Sequence, residues 1–175
     1  MQELEIESIR VRPETSQRAV VLRVKDSNLF LPIFIGQFEV EAIRLKLLDV
    51  TVPRPMTHDL LGSVIVNLGG KVNSIVVSEL REDTFFAKII MEWQGNVLEI
   101  DARPSDAIAL AVRTNSPIYA EEAVIDKAGI SLEQEDGAAD SGTRGSGDRV
   151  SIHEEELEKL SAYTDFIDTL DLEEL

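Results

Sequence analysis

The chain has 175 residues, 43% of them hydrophobic and 29% charged, a globular composition long enough for one compact domain plus an appendage. It has no cysteine, which excludes disulfides, thiolate metal sites and cysteine nucleophiles and fits a reducing cytosol, so a cytoplasmic protein is expected. The net charge of −16 is uneven: residues 1–128 carry 14 Lys+Arg and 19 Asp+Glu, net −5, and residues 129–175 carry 3 and 14, net −11, so nonspecific nucleic-acid binding through bulk charge is disfavoured.

No basic segment with a following apolar core opens the chain, so no secretory signal is expected. No apolar run approaches the roughly 20 residues that span a bilayer. Residues 3–12 read as a strand in which Leu4 and Ile6 share one face and Ile9 and Val11 the other, which predicts a bulge near Glu7-Ser8. Residues 18–24 and 29–35 are apolar on both faces and read as buried strands joined by a turn at Asp26-Ser27-Asn28. Pro32 places its strand segment at an edge or bulge.

Gly36 ends the strand, and Val40, Ile43 and Leu47, with Ala42 and Leu48 beside them, predict a helix over 37–48. Val52-Pro-Arg-Pro55 is a rigid, non-helical connection. A second helix follows, with Thr57 as N-cap, Asp59 in its first turn, Leu60, Leu61, Val64, Ile65 and Leu68 as its apolar positions, and Gly69-Gly70 as its stop. Strands are predicted over 71–80, 84–93 and 97–102, the last two joined by a tight hairpin at Gln94-Gly95-Asn96. In the last strand Leu98, Ile100 and Ala102 are expected inward and Glu99 and Asp101 outward.

A helix over Ser105–Thr114, a short Pro117-Ile-Tyr-Ala segment and a small helix near 121–128 complete the main domain, taken as 1–130. Residues 131–150, rich in Glu, Asp, Gly, Ser and Ala, read as a flexible acidic linker. Residues 151–175 read as an acidic amphipathic helical tail: Ser151 to Glu154 has capping-box spacing, and Leu160, Tyr163, Ile167 and Leu170 recur at helical intervals. Such a stripe is expected to dock on the main domain, a sister subunit or a protein partner. The pattern predicts an α+β fold, a strongly curved, mostly antiparallel sheet with packed helices, followed by a C-terminal acidic tail.

Two constellations carry chemistry. In Asp101-Ala-Arg-Pro-Ser-Asp-Ala-Ile-Ala-Leu-Ala-Val-Arg113 a strand turns into a helix, and Arg103 stands beside the free N–H groups of the helix start, a setting that favours anions. The structural alternative is a cap made by Ser105, with Asp106 offsetting the helix dipole and Arg103 paired to Asp101 or Asp106. In Thr57-His58-Asp59, His58 is the one histidine of the main domain, and histidine both takes and gives a proton near neutral pH. Asp59 orients it only if the backbone allows, because adjacent helical residues do not face each other; an exposed first-turn histidine is the equal alternative. Glu39, Glu41, Asp59, Asp101 and Asp106 are available carboxylates, but no two have the spacing of a metal motif. No P-loop, GxGxxG, HExxH or GxSxG motif is present.

Three segments together carry a resemblance: Leu31-Pro-Ile-Phe-Ile-Gly36 with the Glu39-x-x-Ala-Ile helix start after it, Pro53-Arg-Pro-Met-Thr-His-Asp-Leu-Leu61, and Ala102 through Arg113. Over roughly residues 1–130 the chain resembles the bifunctional nuclease domain family, formerly a domain of unknown function. The resemblance implies an α+β domain, often homo-oligomeric, with DNase and RNase activity of low sequence specificity. On that footing His58, Asp59, Arg103 and Asp106 are the expected catalytic group, and Arg103, Ser105, Arg54 and Arg113 the phosphate-binding group. Asp101, Asp106 and Glu41 are the weakly indicated ligands for a divalent ion such as Mg²⁺ or Mn²⁺. The expected partners are nucleic acid as substrate, further copies of the chain and a protein partner for the tail, with no membrane. The alternative is a non-catalytic oligomeric binding or regulatory module with an anion pocket and a partner-binding tail helix.

Overall fold

A computed structural model of the chain describes residues 1–12 and 15–131. Apart from Ser131, the expected linker and tail lie outside the described residues, as do the tail's apolar stripe and its docking.

The elements run β1 (Gln2–Arg12), β2 (Gln17–Val24), β3 (Leu29–Phe34), α1 (Gln37–Leu47), α2 (Thr57–Asn67), β4 (Gly70–Arg81), β5 (Thr84–Trp93), β6 (Asn96–Ala102), α3 (Pro104–Thr114), β7 (Ile118–Ala120), α4 (Glu122–Ala128) and β8 (Ile130–Ser131). The eight strands form one open sheet in the order β6-β5-β4-β7-β1-β2-β3-β8. Every neighbouring pair is antiparallel except β4 and β7. The fold is therefore α+β with a mostly antiparallel sheet.

Local sequence explains most of this. The β1–β2 register shifts between Ile6 and Ser8, the bulge that the change of apolar face required. Ala19 through Leu22 are buried on successive positions, so β2 has both faces covered. Among the described residues Pro32 pairs only toward β2, and β8 reaches no further than Leu29 and Phe30, so the missing N–H faces an edge that no described strand covers. The two-residue loop between β5 and β6 has both φ angles positive, at Gln94 and Gly95, and the loop between β4 and β5 has the same form at Glu82 and Asp83. Turns with two left-handed residues match the twist of the strands they join.

α3 is the centre of the helical layer. Pro104, Ser105 and Ala107 through Ala111 are buried, and its three alanines let α1 and α2 pack close against it. Ile43, Ile75, Val77, Leu22, Leu31, Ile108 and Leu110 are the large side chains of the common core.

Several expectations shift. On α1, Val40, Ala42 and Ile43 are buried, but Leu47 and Leu48 are exposed at the helix end. α2 has no fully buried residue: Leu60, Leu61, Val64, Val66 and Leu68 are all exposed, while Ile65 packs partly against the core. Leu98 and Ile100, expected inward on β6, are also exposed, because β6 is the edge strand and the main helix contacts in this part of the sheet fall on β4 and β5. An apolar alternation marks a face but cannot say whether anything covers it.

Candidate active site

Three helices begin alike. Gly36, Met56 and Arg103 are the N-caps of α1, α2 and α3, all with extended backbone, and the third helical residue of each is acidic: Glu39, Asp59 and Asp106. A carboxylate in the first turn offsets the positive end of the helix dipole. The expected caps therefore move. Thr57 is the first residue of α2 rather than its N-cap, because Asp59 Oδ2 accepts from the Met56 N–H at 2.8 Å. Ser105 is the second residue of α3, buried behind Pro104 at the first, so it does not cap the helix from outside.

Side chains tie the three starts together. Arg103 donates from Nε to Asp106 Oδ2 at 2.7 Å and from Nη2 to Asp106 Oδ1 at 3.1 Å. Its Nη1 lies 3.2 Å from Glu39 Oε1, joining α3 to α1. Glu39 folds back toward Gly36, where a Cβ would meet its carboxylate, so a larger residue there would push the Glu39 side chain out of this position. His58 Nε2 lies 3.2 Å from Asp106 Oδ1, joining α2 to α3. Arg113 donates from Nε to Asp59 Oδ1 at 2.6 Å and from Nη1 to Ala109 O at 2.8 Å.

The electrostatics follow. Burial alone would raise Asp106, but the hydrogen bonds from Arg103 and His58 and their charge outweigh it and hold its pKa below the ordinary carboxylate value. Burial likewise opposes ionisation of Asp59, and the Met56 N–H and the Arg113 guanidinium overcome it, leaving its pKa lowered. Arg103 is held more firmly as a cation, first by its hydrogen bond to Asp106.

His58, Arg103 and Asp106 thus share one chain of polar contacts with Glu39, and Asp59 belongs to a second one with Arg113 and the Met56 N–H. Asp106, not the adjacent Asp59, holds the His58 ring: His58 and Asp59 are consecutive on α2 and point to different partners. The ring is only 12% exposed, whereas the Arg103 side chain is 66% exposed. Of the expected phosphate-binding residues, Arg113 is 7% exposed in its side chain and committed to Asp59, Ser105 is buried, and Arg54 stands exposed in the connection before α2, apart from the network.

The expected metal ligands stand apart. Glu41 pairs with Arg44 on α1, Asp106 with Arg103 and His58, and Asp101 lies opposite Lys88 in the β5–β6 register. Among the described residues no group of three or more His, Asp or Glu side chains is arranged to hold a metal ion. These donors, as placed, do not form a site for a resident divalent ion.

Beside the network opens a pocket of about 530 Å³, lined by His58, Asp59 and Arg113 together with Lys46 from the end of α1, Ser63 and Asn67 from α2, and Lys71 from the start of β4. Lys46 and Lys71 carry no local signal, since they come together only when α1 and β4 flank α2. The acids at the third helical position were the readable signal that pairwise inspection missed: Gly36-x-x-Glu39, Met56-x-x-Asp59 and Arg103-x-x-Asp106 share one spacing.

The sequence profile of a family described as the bifunctional nuclease domain matches residues 20–133. An uncharacterized protein of Mycobacterium tuberculosis is 35% identical over 167 residues, 95% of this chain and 95% of that protein. Proteins named Bifunctional nuclease 1 are similar over shorter stretches: that of Oryza sativa subsp. japonica is 25% identical over 130 residues, 72% of this chain and 39% of its own length. That of Arabidopsis thaliana is 30% identical over 104 residues, 57% of this chain and 32% of its own length.

Proposed function

The chain belongs to the bifunctional nuclease domain family, and from that membership we propose that it hydrolyses phosphodiester bonds of DNA, RNA or both with low sequence specificity. The observation that carries the reading is the His58–Asp106 pair at the junction of α2 and α3. A carboxylate on one ring nitrogen fixes the tautomer and steadies the charge that forms when the other nitrogen takes a proton.

In this mechanism Asp106 holds Nε2–H, and Nδ1 accepts a proton from the attacking water. The water oxygen forms the new bond to phosphorus, the bond to the leaving sugar oxygen breaks, that oxygen takes its proton from solvent water, and His58 returns the proton it accepted to solvent. Arg103, the exposed cation of the network, meets the charge on the phosphoryl oxygens. Glu39 and Asp59 are positioning residues: Glu39 steadies Arg103, and Asp59 anchors α2 through Met56 and Arg113.

Purified full chain incubated with single-stranded DNA and RNA, in Mg²⁺, Mn²⁺ or chelator, is expected to release shorter products. Unchanged cleavage by the His58→Ala, Arg103→Ala double variant identifies a contaminant and removes the assignment.

One observation favours the non-catalytic reading: Arg103 and Arg113 are each already paired with carboxylates, as in a purely structural clamp. Absence of cleavage with all substrates and ions decides for it.

The further parts of the proposal are a cytoplasmic setting and self-association. No helix among the described residues is long and apolar enough to cross a membrane. A second copy of the chain is proposed to cover the apolar surface of α2 and β6, where Leu68 and Val97 are 69% and 66% exposed. Among the described residues β6 has one unpaired side, and it carries no Lys, Arg or Pro to guard it.

A further inference from the structure

We infer that the pocket between α1, α2, α3 and the start of β4 is a mononucleotide subsite, holding one nucleoside phosphate of the strand or of the product; the inference rests on the phosphodiesterase reading for the identity of its ligand. The volume of about 530 Å³ lies within the roughly 300–1,000 Å³ of pockets that enclose small ligands.

Its charge is opposite in sign to that of the chain. Lys46, Lys71 and Arg113 line it against the single carboxylate of Asp59, and Asp59 is occupied by Arg113. Two ammonium groups therefore remain for a ligand. Lys46 lies 3.4 Å from Asp49, whose side chain is 93% exposed, a surface pair that an arriving phosphate displaces at little cost. Lys71 has no hydrogen-bond or ion-pair partner among the described residues, although Glu92 stands opposite it in the β4–β5 register.

The remaining wall suits a nucleoside. Ile65, Val66 and Val72 supply apolar surface for a base or ribose. Asn67 donates from Nδ2 to Ser63 O, which leaves its Oδ1 to accept from an exocyclic amino group. Gly70 keeps the floor open and close: a Cβ there would press on Met91 and on Ile65. His58 lines the same pocket, so a phosphate held by Lys46 and Lys71 has its ester bond beside the proposed base.

Calorimetric titration of the full chain with AMP, adenosine and inorganic phosphate tests this without cleavage. Trp93 gives a second readout: it is the one tryptophan, its Nε1–H donates to Leu68 O at 3.0 Å, and it pairs with Gly70 at the pocket floor. Saturable AMP binding is expected, tighter than that of phosphate or adenosine, and weakened about tenfold or more by Lys71→Ala, since a charge-assisted hydrogen bond is lost. Lys71 is exposed, so its replacement leaves the fold intact, and Lys88→Ala, at the exposed pair with Glu99, is expected to bind AMP as the parent does. No saturable AMP binding, equal affinity in Lys71→Ala, or phosphate binding as tightly as AMP overturns the subsite. AMP binding that depends on Lys71 in a chain that cleaves nothing keeps the subsite and removes the nuclease reading; cleavage without AMP binding does the reverse.

Discussion

His58 and Asp106 are 48 residues apart in sequence and 3.2 Å apart in space, each in the first turn of its own helix. If this pair performs proton transfer, Asp106→Asn removes the carboxylate and keeps the shape. Cleavage is expected to fall by about 10²-fold or more in kcat, with a smaller change in KM. Steady-state kinetics on a defined oligonucleotide, with circular dichroism to verify the fold, checks it. An unchanged kcat removes His58 and Asp106 from the chemistry.

The Asp59–Arg113 pair predicts a stability effect. Arg113 is nearly enclosed, and Asp59→Asn removes the charge opposite its guanidinium and one of the two acceptor oxygens, so the amide oxygen serves Arg113 or the Met56 N–H but not both. Breaking one side of such a pair is expected to destabilise by about 3 kcal/mol. Arg113→Met added to Asp59→Asn is expected to cost less than the two single losses together, since no unpaired charge then remains. Urea denaturation of the two single variants and the double variant measures the coupling, and strict additivity shows that the pair has no net interaction.

Asp59 and Asp106 both have lowered pKa values in the folded chain, against an ordinary value of 3.8. In the unfolded chain they take up protons first as pH falls, so the unfolded state gains. Their contribution is fully present above the ordinary carboxylate range and is lost as pH falls through 3.8 toward the folded values. The melting-temperature difference between the parent and Asp106→Asn is therefore expected to shrink as pH falls below about 4. A difference that grows in acid reverses the sign and contradicts the ion-pair account.

Exposed apolar residues on α2 and β6 predict an assembly. Light scattering on the purified chain is expected to give a mass above 19.4 kDa. Val97→Glu with Leu68→Glu is expected to lower it, because a charge placed in a dry interface stays unpaired. Both positions are exposed in the single chain, so the folded domain is expected to survive. A parent that is monomeric at assay concentration removes the second copy from the proposal.

Most of the sheet was legible because strand signals are local. The bulge after Ile6 followed from a switch of apolar face, the tight hairpin at Gln94-Gly95 from its turn residues, and the edge character of Pro32 from its missing N–H. The helix caps were misread by one or two positions. Thr57 and Ser105 are good capping side chains, but acids three residues after Met56 and Arg103 occupy the helix starts instead.

By itself the sequence determined the elements, the α+β class, the family and the polar residues worth watching, since each depends on side-chain type and short-range spacing. Only the tertiary structure decided who meets whom. α3 runs between α1 and α2, which gives Asp106 to His58, Glu39 to Arg103 and Asp59 to Arg113, and brings Lys46 and Lys71 to one pocket. Ion pairs and hydrogen bonds act over a few ångströms, and distances on that scale between residues dozens of positions apart are set by helix packing rather than by neighbours in the chain.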